Sequence, residues 1–212
     1  MKTAPNCPRC GGPVHEPNAW TSAWRCEVHG EVYPLFPAYP PSREGMEALL
    51  RTAAVPVWLP WPLPAGWLVT GFAGAGDERV GARACVVALS GPNPVGGPGD
   101  LLVAAEEPGI GLGARLAGLD GPDPGQDFAA RSPYTTFQYG GHEFPLWHVP
   151  APDRAVFAGE AMGNWLWAVL WPDTAGTLLV ETLTLRDLRD PGQDLDVPFG
   201  AMSPRLPKAS EA

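Results

Sequence analysis

A chain of 212 residues with 45% hydrophobic content is sized for one main domain and a small appendage. Its charge of −9, with Lys2 and Lys208 as the only lysines and no basic stripe interleaved with aromatics, argues against non-specific nucleic-acid binding. No run approaches the ~18 apolar residues of a membrane span and no basic-then-apolar leader opens the chain, so the expected compartment is the cytoplasm, without a membrane.

The first feature along the chain is a pair of knuckles, Cys7-Pro-Arg-Cys10-Gly11 and Cys26-Glu-Val-His29-Gly30, with fifteen residues between Cys10 and Cys26. Two residues between ligands bring their donor atoms within a few ångströms, and three thiols with one imidazole match the tetrahedral preference of zinc. Glycine directly after each second ligand tolerates the positive φ that folds the backbone back toward the sulfurs. Cys7, Cys10, Cys26 and His29 are therefore the expected ligands of one zinc ion. His15 is a rival to His29 without the paired spacing. Cys85 lies in the apolar run Ala84-Cys-Val-Val-Ala-Leu89 and reads as a small buried hydrophobe. Four protein ligands close the shell, so the zinc is read as structural, supplying folding free energy to a ribbon too small for its own core. Trp20 and Trp24, between the knuckles, are its expected apolar contacts or its docking surface.

From Tyr33 to Pro41 four prolines favour extended backbone and suit a linker. Ser42 then makes an N-cap for a short helix over Glu44 to Thr52, with Met46, Leu49 and Leu50 on one face and Gly45 weakening it. In Val55-Pro-Val-Trp58-Leu-Pro-Trp61-Pro-Leu-Pro-Ala-Gly-Trp67, prolines rule out helix and central strand. Three tryptophans there pack over the core, the commoner use of buried tryptophan, or form an aromatic platform; Trp58, Trp61 and Trp67 are the candidate ligand-binding residues.

Short apolar runs then alternate with turns: Trp67 to Phe72, Ala84 to Leu89, Leu101 to Ala105, Tyr134 to Tyr139, Ala155 to Ala158, Trp165 to Trp171 and Leu178 to Leu185. The gaps, such as Gly96-Gly-Pro-Gly99 and Gly121-Pro-Asp-Pro-Gly125, carry strong turn chemistry. Trp165 to Trp171 is apolar on both faces, as a central strand should be, and Asp173-Thr-Ala-Gly176 is expected to turn it into a hairpin with Thr177 to Leu185. The fold class is mainly β, α+β at most: a zinc ribbon over 1–32, a proline-rich linker and short helix over 33–54, a tryptophan-rich antiparallel β domain over 55–190 and a polar tail over 191–212 whose last residues fray.

Chemistry beyond the knuckles is sparse. Gly109-Ile-Gly111-Leu-Gly113-Ala114 has the G-x-G-x-x-A form of a dinucleotide turn, but Gly118 and Gly121-Pro122 stop any following helix after two turns, so a plain glycine turn is expected. His142 and His148 are six apart around Pro145, too far for one metal on a strand. Glu106, Glu107, Asp153, Glu160 and Glu181 have no pairwise spacing of an acid–base pair. Glu160, among small residues before the tryptophan strand, is the carboxylate whose pKa burial would raise, and with His148 it is the weak catalytic candidate.

Taken together, the knuckles, Pro56-Val-Trp58-Leu-Pro-Trp61-Pro-Leu-Pro64, Gly121-Pro-Asp-Pro-Gly125, Pro145-Leu-Trp147-His148, Arg154-Ala-Val-Phe-Ala-Gly-Glu160 and Trp165-Leu-Trp167 resemble, from end to end, an uncharacterised actinobacterial family of about this length. The resemblance implies an actinobacterial source and an N-terminal zinc ribbon, and carries no activity. The preferred reading is a cytoplasmic module that binds a protein partner or small ligand. The alternative is an enzyme, of acyl- or phospho-transfer type, using Glu160, His148 or the Gly109 to Gly113 turn.

Overall fold

The computed structural model describes residues 4–192 and 195–207, so the expected fraying of the last residues lies outside the described residues. Strands β1 (Val14–His15), β2 (Arg25–Cys26) and β3 (Gly30–Glu31) form a small antiparallel sheet in that order. Helix α1 (Arg43–Leu50) follows, and the Ser42 hydroxyl caps it by accepting from the Gly45 N–H at 3.1 Å. Gly45 is there for room: a Cβ at this position would collide with the Pro40 carbonyl.

The rest of the chain supplies β4 (Trp58–Pro60), β5 (Leu68–Asp77), β6 (Gly81–Pro92), β7 (Pro98–Glu106), α2 (Leu112–Ala117), β8 (Thr135–Tyr139), β9 (His142–Val149), β10 (Ala155–Ala161), β11 (Asn164–Trp171), a 3-10 helix over Asp173–Val180, and β12 (Leu183–Asp187). Among the described residues, nine strands make one curled sheet in the order β4-β12-β8-β9-β10-β11-β7-β6-β5. The protein is thus mainly β.

Alternation along the inner strands explains the two cores. Cys85, Val87 and Leu89 of β6, Leu101 and Val103 of β7, and Leu166, Ala168 and Leu170 of β11 face one core, which Trp58, Leu59 and Leu179 help close. Ala84, Val86 and Ala88, with Leu102, Ala104, Trp167 and Val169, face a second core that α2 covers. Such strands, buried on both faces, lie inside a sheet, and β11 is paired on both sides, with β10 and β7.

Two expectations about connectivity are corrected. The hairpin expected between Trp165 to Trp171 and Thr177 to Leu185 is absent, because the intervening residues satisfy their backbone locally: Ala175 N–H donates to the Pro172 carbonyl, and the Thr177 hydroxyl to that of Thr174. The resulting 3-10 helix lies against β10 at Gly176, where a Cβ would press on the Ala155 methyl. The chain re-enters the sheet as β12, antiparallel to β4 but parallel to β8. That pair is an exception to an antiparallel domain.

The outer side of β5 is occupied by two irregular segments. Tyr39 and Phe72 exchange backbone hydrogen bonds at 2.8 and 3.2 Å, and Gly76 N–H reaches the Pro34 carbonyl. Farther along, Val69 N–H donates to Pro198, while Gly200 and Ser203 donate to Val69 and Thr70. The proline-rich segment after the ribbon is therefore bound along its length, with Leu35 fully buried. The segment read as a polar tail contributes Val197 and Leu206, both buried.

Candidate metal centre

Both knuckles have the local geometry their glycines suggest. Cys7 N–H donates to the Gly12 carbonyl and Gly11 N–H to that of Cys7, each at 2.8 Å, with Gly11 at φ +74° and Gly30 at φ +69°. Cys26 closes β2, and His29 lies in the turn before β3. Sγ of Cys10 and Cys26 lie 3.7 Å apart, and His29 Nδ1 lies 3.6 Å from Cys7 Sγ and 3.7 Å from Cys26 Sγ. All four ligand atoms fall within 4.8 Å of one another, close enough to hold one metal ion. Cys7 and Cys26 are buried and Cys10 is exposed, so one flank faces solvent.

The environment differs from one sulfur to the next. Burial pushes the Cys7 thiol up to about 11. At Cys26 burial acts the same way, but the backbone N–H groups of His29 and Val28 outweigh it and bring the thiol down to about 6. His15, the rival ligand, instead approaches exposed Glu27 at 3.4 Å. Cys85 is free and buried, its thiol pushed up to about 12 by desolvation. Trp24 meets Phe36 edge to face, while Trp20 is 95% exposed.

The ribbon seats on the turn that leads into α2. The Arg9 guanidinium, inside the first knuckle, donates to the carbonyls of Gly109 and Ile110. Behind that turn lies a carboxylate to which its spacing in the sequence assigns no role. Glu106, at the end of β7, is fully buried and accepts from the N–H groups of Leu112 at 2.7 Å and Gly113 at 3.0 Å. Burial, partly offset by those donors, pushes its carboxyl up to about 7. A carboxylate six residues ahead of a short helix, at the end of an apolar run, was the available signal. The glycine turn thus has its first helical N–H groups taken by the chain itself, which removes the anion cradle of a dinucleotide site. Gly113 has no side chain because the Trp167 ring fills the space.

The remaining candidates separate. Trp58 and Trp67 are 1% and 3% exposed and cannot form a platform, while Trp61 is half-buried against the same core. Their burial corrects the ligand-binding expectation for Trp58 and Trp67. Glu160 is exposed, so the desolvation expected of it is absent. His148 stands opposite Phe157 and shares its face, whereas Glu160 shares the face of Val156 and Ala158. The two side chains point to opposite sides of the sheet and cannot act on one substrate atom as an acid–base pair.

A cavity of about 920 Å³ opens beside His148. Phe128, Tyr134 and Trp147 line it, with Arg131 at hand. Phe128 packs edge to face on both Trp147 and Trp165, and the indole N–H groups of those tryptophans reach the Arg131 carbonyl and the Asp123 carboxylate. Among the described residues, no helix is long and apolar enough to cross a membrane. No curated protein and no solved structure matches the chain. A family model does match, over residues 1–206, and the chain belongs to that family of unknown function, DUF6758.

Proposed function

We propose that Cys7, Cys10, Cys26 and His29 hold one structural zinc ion, and that this ribbon and the β domain together form a cytoplasmic binding module. The spacing of the donor atoms carries the metal reading. A tetrahedron with Zn–S of ~2.3 Å and Zn–N of ~2.1 Å has S···S edges of ~3.8 Å and S···N edges of ~3.6 Å. The observed 3.7 Å between Cys10 and Cys26 and 3.6 to 3.7 Å from His29 to two sulfurs agree with those edges. Three thiolates and an imidazole leave no ligand position for water, which favours a structural role. The aromatic cavity of Phe128, Tyr134 and Trp147 supports the binding half of the reading, being concave, mostly apolar and bordered by a few polar groups. The enzyme alternative gains nothing from Glu160 and His148 on opposite faces.

Metal content of protein purified without added metal, beside Cys26→Ser, tests the first half. One zinc per chain, lost in the variant, is expected; iron or no metal in the wild type would overturn it. For the second half, a fragment screen followed by the Trp147 indole N–H resonance is expected to give saturable shifts, weakened in Phe128→Ala. A silent Trp147 throughout would remove the cavity as a binding site.

A further inference from the structure

The proposed centre does not balance its own charge. Three thiolates, a neutral imidazole and a divalent cation carry one net negative charge, and two of the sulfurs are 0% and 5% exposed. A charge so placed favours a nearby cation strongly. Of the arginines near the knuckles, Arg9 directs its guanidinium at carbonyl oxygens of the Gly109 turn, and Arg25 is exposed.

The other cation comes from the β domain. Arg115, on α2, reaches across to the first knuckle: a Cβ on Gly11, the residue after Cys10, would meet Arg115 Nη1. Among the described residues its guanidinium donates no hydrogen bond, although the side chain is largely withdrawn from solvent. Burial works against its charge, and the sulfurs of Cys7 and Cys10 are the groups that favour it. Its backbone is held in turn. Glu106 fixes the first turn of α2 through Leu112 and Gly113, and Arg115 N–H donates to the Gly111 carbonyl at 3.2 Å.

From this placement we infer that Arg115 is the counter-charge of the metal centre, a positioning residue lent by the β domain that favours the thiolate-ligated, metal-loaded ribbon in its docked place. The inference rests on the metal reading above. It makes metal affinity a property of the whole chain rather than of the knuckles alone.

Cobalt(II) titration of the full chain, with zinc competition in a chelator buffer, tests it on wild type, Arg115→Met and Arg115→Lys. The expected result is the tetrahedral cobalt spectrum in all three, a roughly tenfold weaker affinity in Arg115→Met and recovery of most of that loss in Arg115→Lys, as a charge effect requires. Equal affinities for wild type and Arg115→Met would overturn the inference while leaving the metal site intact. A loss equal in Arg115→Met and Arg115→Lys would also overturn it, since packing rather than charge would then be at work. A wild type that binds no metal would instead sink the metal reading itself. Thermal melts of the metal-free proteins show whether Arg115→Met still folds. Should it fail to fold, the comparison of Arg115→Lys with wild type decides, an affinity within about threefold being expected and a tenfold loss being contrary.

Discussion

Glu106→Gln is expected to abolish a stability loss that the wild type suffers as pH rises from about 5 to about 8. The carboxyl is fully buried, and desolvation moves it from 4.5 to about 7 in the folded chain. Unfolded, it releases its proton near 4.5. Between those two values the folded state holds a proton that the unfolded state has lost, so stability falls with rising pH, and the loss is complete above pH 7. At 1.36 kcal/mol per unit, the shift corresponds to about 3 kcal/mol. Glutamine carries no charge to desolvate, although it puts an NH2 group, which cannot accept, where an oxygen of the protonated carboxyl still can, facing Leu112 or Gly113 N–H. The variant therefore starts somewhat less stable at pH 5, and the gap closes or reverses by pH 8. Urea unfolding of both proteins across that range supplies the measurement, and subtracting one profile from the other removes the titration of the metal ligands common to both. A difference that stays constant with pH would refute the reasoning, because the buried carboxyl would then take up no proton on folding.

Gly45→Ala should destabilise by about 1–3 kcal/mol, against the usual gain from replacing a helical glycine, since the new methyl meets the Pro40 carbonyl; a raised Tm would contradict this. Asp187→Ala should cost about 1–3 kcal/mol, because it leaves the Val57 N–H, now held at 3.1 Å, buried without an acceptor, while Arg189, paired at 2.7 Å, is exposed enough to turn to solvent. Denaturant unfolding with an unchanged m-value is the check, and a loss under 1 kcal/mol would show that water replaces the partners.

The knuckles were legible because their information is local: two residues between ligands bring donor atoms together whatever the rest of the fold does. The inner strands were legible through composition, β11 most of all, since Trp165 to Trp171 leaves no polar face to expose. The Ser42 cap was equally plain. What escaped depends on distant partners. Whether residues 173 to 180 form a strand or a 3-10 helix turns on their fit against Ala155, and the parallel pairing of Leu183 with Phe137 has no local sign. Glu106 escaped because its partners are backbone N–H groups of a turn that read as plain glycine chemistry. Trp58, Trp61 and Trp67 read alike in sequence, and only the folded chain separates Trp58, buried in β4, from Trp61, partly exposed just beyond it.

A sheet of nine strands has two outer rims, and each is a place where a foreign strand can add and start a polymer. One rim is β4, three residues long and ending in Pro60, which has no N–H to offer. The long rim, β5, is shielded by pieces drawn from opposite ends of the chain, 34–39 and 198–203. A fragment trimmed to the strands alone, starting after Tyr39 or stopping before Pro198, would bare backbone groups of Phe72 or of Val69 and would also remove Leu35 or Leu206 from the second core. Such fragments would lose core packing and expose an open pairing edge together, which makes the irregular flanks guardians of solubility.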